Sequence, residues 1–318
     1  YFIYLFYIFL YKNKLINIYI MCSFLIFNWI INNIDYINYY LKFRGPDCTN
    51  TINYENFLFL HNLLHLTGDI TYQPFINNNN KIVALFNGEI YNYKDFGDYK
   101  SDGYCLIDLY LKYGFDFIKH LDGEFAITLF DFKKNIFVIS TDIFSTNPLW
   151  YAIDKNKLGI SSYESALNRA EMNNIKKLNA NTTLIYQIST LKLLKENRVH
   201  KFNFKQFKTT YDDWLNAFIN SIKKRTNDNN YDTFICLSSG YDSGSICCIL
   251  NQLKKNYESF TIIGSENHQI INDRVKINNK KSNIIKINDK EKQTIKKYLD
   301  KNAENFEYTH VQRNIKDD

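Results

Sequence analysis

The stretch that most limits what this chain can fold into is Thr233-Phe234-Ile235-Cys236-Leu237-Ser238-Ser239-Gly240-Tyr241-Asp242-Ser243, followed by the run Ser245-Ile246-Cys247-Cys248-Ile249-Leu250. An apolar run, a small-residue turn and a second apolar run predict a buried strand, a tight turn and a helix. At such a turn the first helical N–H groups have no intrahelical partners and face outward with the positive end of the helix dipole. Ser238, Ser239 and Ser243 add hydroxyl donors, Gly240 allows a close backbone approach, and Asp242 either caps the helix or holds a metal ion. Many strand-to-helix turns have this composition for capping alone, so the stretch by itself supports an anion site and a plain cap equally.

From Asp232 onward the chain alternates regularly, with strands at Phe260 to Ile263 and Asn283 to Ile287 and helices near Val275 and over Lys290 to Leu299. That is the rhythm of a parallel sheet with crossover helices. Upstream the pattern changes. Strands are predicted at Cys22 to Phe27, Phe57 to Leu60, Ile82 to Phe86, Phe125 to Phe130, Ile136 to Thr141, Trp150 to Ile153 and Thr183 to Ile188, and helices over Asn33 to Phe43 and Tyr104 to Tyr113. Many strands with few helices imply packed sheets flanked by helices. The polar stretch 196–210 is the expected linker, leaving a first domain over 22–195 and a second over 211–318. Residues 1–20 precede Met21 and have neither the length of a spanning helix nor the layout of a signal peptide, so they are read as an upstream extension.

Composition narrows the partners. The net charge of +6 is spread over scattered lysines, which argues against nucleic acid. The six cysteines show no C-x-x-C spacing and read as reduced thiols of a cytoplasmic protein without a membrane partner.

Asn87-Gly88-Glu89-Ile90-Tyr91-Asn92-Tyr93, Arg44-Gly45-Pro46-Asp47, Gln73-Pro74-Phe75, Ser101-Asp102, Leu121-Asp122-Gly123-Glu124-Phe125-Ala126 and Asn147-Pro148-Leu149-Trp150-Tyr151 resemble stretches of glutamine-hydrolysing asparagine synthetases, and along the chain they fall in that family's order. The turn at Ser238 is similar to the S-G-G-x-D-S pyrophosphate loop of ATP pyrophosphatases, with Ser239 in place of the first glycine. The resemblance implies a mixed α+β and α/β chain. An αββα sandwich of the N-terminal-nucleophile glutaminase class, a glutamine amidotransferase domain, would precede part of a parallel-sheet ATP-pyrophosphatase-like domain.

By the same resemblance Cys22, exposed once Met21 is removed, is the nucleophile. Its free α-amine, with a pKa of roughly 7.7–8.0, can take the proton of a thiol at ~8.5, so no histidine is needed. Asn87 and the N–H of Gly88 correspond to an oxyanion hole, where one donor is worth on the order of 3 kcal/mol. Asn87, Glu89 and Asp102 correspond to glutamine-binding residues. Leu63 stands where the family carries an arginine that clamps the glutamine α-carboxylate, which leaves Arg44 or His65 to replace it. The stretch Leu64-His65-Leu66-Thr67-Gly68 resembles the branch called asparagine synthetase domain-containing proteins. In the second domain Leu237 and Ile263 would border the adenine of ATP, while Ser238, Ser239, Gly240, Asp242 and Ser243 would hold pyrophosphate with Mg²⁺, Asp242 being the metal ligand.

The family's later acidic stretch Y-G-x-G-A-D-E does not occur before Asp318, so the synthetase half is expected to be truncated. The expected function is glutamine hydrolysis feeding ammonia to ATP-dependent amidation of aspartate. The alternative is a catalytically impaired relative that acts as an interaction scaffold. Glutamine, aspartate and ATP are the expected small-molecule partners, and a homodimer stays open.

Overall fold

The computed structural model describes residues 9–11, 14–16, 21–65, 69–205, 207–226, 233–264, 266–278 and 281–302. The chain divides into two compact units, one holding the residues up to Phe202 and one holding Asn203–Lys297. The expectation for residues 1–20 falls outside the described residues, apart from a short antiparallel pair, β1 (Phe9–Tyr11) and β2 (Lys14–Ile16).

In chain order the first unit then contains β3 (Ser23–Phe27), α1 (Ile34–Ile37), α2 (Tyr39–Lys42), β4 (Cys48–Tyr54), β5 (Phe57–Leu63), β6 (Phe75–Asn77) and β7 (Ile82–Ile90). It continues with α3 (Cys105–Tyr113), β8 (Gly123–Asp131), β9 (Ile136–Thr141), β10 (Trp150–Asp154), β11 (Lys157–Ser161), α4 (Glu164–Arg169), β12 (Lys176–Lys177), β13 (Thr182–Gln187) and β14 (Leu193–Arg198). The strands form two six-stranded sheets, in the orders β12-β10-β11-β3-β5-β4 and β14-β13-β9-β8-β7-β6. β14 reaches three residues into the stretch expected as linker, 196–198.

Two-residue periodicity explains the layering. Successive side chains of a strand point to opposite faces, so Phe24 and Ile26 meet Val83, Leu85, Ala126 and Phe130 between the sheets. Leu25 and Phe27 turn the other way and pack under α1, α2 and α4 through Ile37, Leu41, Ala166 and Leu167. On the far side of the second sheet Ile82, Ala84, Ile127 and Leu129 pack against Leu106, Leu109 and Tyr110 of α3. The result is helix, sheet, sheet, helix, as the family resemblance implies. Both central sheets are buried on both faces, which is why their strands read as continuous apolar runs.

The single helix expected over Asn33 to Phe43 is two short pieces. The interruption falls at Asn38, whose buried amide exchanges hydrogen bonds with the buried amide of Asn62 on β5, at 3.1 and 2.8 Å. β4 carries no apolar run because it is an edge strand; Thr49, Thr51 and Asn53 are exposed, and only alternate side chains are partly covered.

The second unit carries α5 (Asp212–Arg225), β15 (Phe234–Cys236), α6 (Tyr241–Gln252), β16 (Glu258–Ile263), α7 (His268–Asn278) and β17 (Ser282–Lys286), followed by α8 (Asp289–Asn302). β15, β16 and β17 form a parallel sheet in that order. Its core joins Ile222 of α5, Ile235 and Leu237, Cys247, Ile249 and Leu250 of α6, and Ile271 of α7. Among the described residues no helix is long and apolar enough to cross a membrane.

Candidate active site

Cys22 sits immediately before β3, and the β3–β5 register, Ser23 opposite Asn62, brings the backbone of Leu64 beside its sulfur. The Leu64 N–H donates to Sγ at 3.3 Å, and Sγ lies 3.6 Å from the Leu64 carbonyl. Burial pushes the thiol up to about 11, opposed by the Leu64 N–H and the charge of Arg44 and reinforced by the charges of Glu89 and Asp102. Arg44, Glu89 and Asp102 thus lie near enough to act electrostatically on the sulfur. Arg44 arrives through the turn after α2. A side chain at Gly45 would meet the Asn62 carbonyl at 2.1 Å, so glycine lets this turn lie against β5. The Arg44 guanidinium lies 4.9 Å over the Tyr163 ring, and its Nη2 is buried without a hydrogen-bond partner.

The opposite side of the site is the end of β7. Asn87 is 1% exposed, yet both its Nδ2 and its Oδ1 lack partners. Buried amides are almost always paired, so the unpaired amide of Asn87, two residues before Glu89 on the same strand, is a candidate binding group. Gly88 has φ +146°, and a Cβ there would lie 1.8 Å from the Glu124 carbonyl oxygen, so no other residue fits. Phe86 and Ile90 direct their N–H groups to Gln73 Oε1 and Asp102 Oδ2, each at 2.8 Å. Gly88 stands midway between them in the strand's two-residue period, which turns its N–H to that same edge.

Glu89, Asp102 and Glu124 form an acidic cluster. Asp102 also accepts from the Gly103 N–H at 2.8 Å and from Ser101 Oγ at 3.2 Å, so it ties the end of β7 to the turn that leads into α3. Burial raises its pKa, and the three hydrogen bonds oppose the rise. Glu89 is an exposed residue at the strand end, and its carboxyl is pushed up to about 8 by desolvation, then by Asp102 and Glu124. Glu124 is cross-strand from Glu89, and its Oε1 accepts from Tyr91 OH at 2.9 Å. Sequence reasoning did not single out Glu124 or Leu64, because register alone puts them at the site. Leu63 is buried at the end of β5, leaving Arg44 as the cation whose field reaches Cys22.

In the second unit the expected loop is closed on itself. Ser243 Oγ accepts from the Ser238 N–H at 3.0 Å and lies 2.8 Å from Ser238 Oγ. The Ser239 N–H donates to Glu266 Oε2 at 2.5 Å, and the Ser239 hydroxyl reaches the same oxygen. Arg274 donates to the Gly240 carbonyl at 2.9 Å and to that of Ser238. Leu237 is buried, Ile263 is half-buried, and Asp242 is exposed on the first turn of α6. The donor set fits an anion, since a carboxylate already accepts from it. Among the described residues no group of three or more His, Cys, Asp or Glu side chains is arranged to hold a metal ion.

Residues 21–215, more than half of the chain, match the family described as glutamine amidotransferase domain. The chain belongs to this family. The amidotransferase is 28% identical over 243 residues to a candidate asparagine synthetase [glutamine-hydrolyzing] 1 of Methanocaldococcus jannaschii, covering 67% of this chain and 43% of that one. It is 34% identical over 122 residues to asparagine synthetase [glutamine-hydrolyzing] of Asparagus officinalis, covering 35% of this chain and 20% of that one. The chain therefore spans less than half the length of these relatives. Among solved structures it resembles glutamine phosphoribosylpyrophosphate amidotransferase from B. subtilis, with TM-score 0.45 and 16% identity over 75% of this chain and 65% of that one.

Proposed function

We propose that this amidotransferase is the glutamine-hydrolysing part of an asparagine-synthetase-like enzyme. The observation that carries the reading is the buried, unpaired amide of Asn87 on the strand whose Glu89, with Arg44 and Asp102, acts on the Cys22 thiol. Arg44 would pair with the α-carboxylate of glutamine, and Glu89 and Asp102 with its α-ammonium. Attack by Cys22 Sγ on the side-chain amide carbon puts negative charge on the carbonyl oxygen. Asn87 Nδ2 and the Gly88 N–H would donate to it.

Ammonia then leaves with the proton that the Cys22 α-amine took from the thiol, and water hydrolyses the thioester. While Cys22 follows Met21 in the chain, its thiol is pushed up to about 11. Freeing the amine supplies the base and, once protonated, a positive charge next to sulfur, which lowers that value.

The use of the ammonia is the second part of the proposal: amidation of aspartate activated by ATP. Ser238, Ser239, Gly240 and Ser243 would hold pyrophosphate, and Leu237 and Ile263 would border adenine. Asp242 would hold Mg²⁺, which when bound offsets phosphate charge. The donor chemistry of the loop supports this assignment.

The test is ammonia release from glutamine by the full chain, wild type against Cys22→Ala, together with mass spectrometry of the N-terminal peptide. Release is expected to fall to background in the variant, and the active protein is expected to begin at Cys22. Ammonia release that survives Cys22→Ala would overturn the reading.

A further inference from the structure

Resting on the glutaminase reading, we infer that Asn147 is a positioning residue, which holds the Glu124 carbonyl against Gly88 and so fixes the N–H that receives the oxyanion. Asn147 is 1% exposed, and its Nδ2 donates to the Glu124 carbonyl at 3.2 Å. That same carbonyl oxygen is the atom a Cβ on Gly88 would strike at 1.8 Å. One oxygen is thus held between the Asn147 amide and the Gly88 Cα. Gly88, at φ +146°, lies outside the conformations that ordinary strand pairing stabilises, and packing must keep it there.

The Asn147 side chain is itself fixed by a turn built on Asp142. The buried Asp142 carboxylate accepts from the N–H groups of Phe125 (3.1 Å), Phe144 (2.8 Å) and Thr146 (3.0 Å) and from Thr146 Oγ1 (3.1 Å). The Asp142 N–H donates back to the Phe125 carbonyl at 2.9 Å. Residues 124–125 are therefore clamped from the β9 side by Asp142 and Asn147 together, and Gly88 rests on the clamp.

The experiment uses the full chain with Asn147→Ala and the near-isosteric Asn147→Leu, which removes the donor and keeps the shape. Glutamine hydrolysis, iodoacetamide alkylation of Cys22, and amide exchange over residues 86–90 are measured on each. The expected result is a fall in kcat of ~10- to 100-fold, the scale of a sub-ångström to 1 Å misplacement. KM is expected to stay within about twofold and Cys22 alkylation to be unchanged, since neither needs the oxyanion contact, while exchange at 86–90 speeds up. If Asn147→Ala does not fold, Asn147→Leu decides. Unchanged kcat, or a fall in kcat matched by an equal fall in alkylation rate, would overturn the inference. If the wild type hydrolyses no glutamine, the functional reading fails alone, and amide exchange still decides: unchanged rates at 86–90 then refute the clamp.

Discussion

At the residue scale, the site's chemistry turns on which carboxyl carries a proton. Glu89 is held at about 8, well above its ordinary value of 4.5, by desolvation and by Asp102 and Glu124. Because its folded value is raised, the stability linked to this group is fully present below about pH 4.5 and is lost as pH climbs through about 8. Glu89→Gln is therefore expected to gain thermal stability relative to wild type above pH 8 and to lose that advantage near pH 5. Binding runs the other way. An α-ammonium pairs with a carboxylate and not with a carboxylic acid, so KM for glutamine is expected to fall in wild type as pH rises from 6 to 8 and to stay flat in Glu89→Gln. The variant's KM at pH 8 should be higher by on the order of 10-fold, the worth of one charged hydrogen bond. A pH-independent wild-type KM would remove Glu89 from substrate binding.

At the element scale, the turn between β15 and α6 shows where Ser239 spends its donors. The Ser239 hydroxyl and N–H both bind Glu266, and the Asn267 N–H donates to the Ser239 oxygen at 3.1 Å. The Ser239 donors are thus satisfied by the protein's own anion. A phosphate ligand must displace that carboxylate, which competes for the same N–H groups. Glu266→Gln is expected to tighten pyrophosphate binding by roughly tenfold, about 1.4 kcal/mol of competing interaction removed, measured by titration calorimetry. Equal affinity in both proteins would mean that pyrophosphate does not use the Ser239 donors.

At the scale of the whole first unit, the two sheets are joined by an aromatic cluster centred on Phe130. Its ring lies 5.0 Å from Phe57, 5.3 Å from Phe59 and 5.2 Å from Phe137, and Phe137 stacks on Tyr186 at 4.9 Å. The cluster ties β5 of one sheet to β8, β9 and β13 of the other, so the site between β3 and β7 depends on it. Phe130→Ala is expected to cost ~3–5 kcal/mol, read as a shift of the denaturant midpoint at unchanged slope. A cost below about 1 kcal/mol would show that the sheets are held elsewhere. The match to the amidotransferase family over residues 21–215 covers nearly all of this unit and does not favour the scaffold alternative.

Local chemistry determined much of this protein. The continuous apolar runs 82–86 and 125–130 specify strands buried on both faces whatever they meet, and so the layered fold was legible. Cys22, Asn87, Gly88, Glu89 and Asp102 could be named as candidates because each lies in or beside a short contiguous stretch that resembles a family motif. The polar edge strands β4 and β14 were not, since an edge strand has no apolar face to announce it. Tertiary structure alone decided that Glu124 lies across from Glu89, that Leu64 supplies the N–H at sulfur, and that Asn147 reaches the carbonyl on which Gly88 rests. Each of those contacts joins residues more than twenty positions apart through strand register or a turn, and no local pattern of residue types encodes register between distant strands.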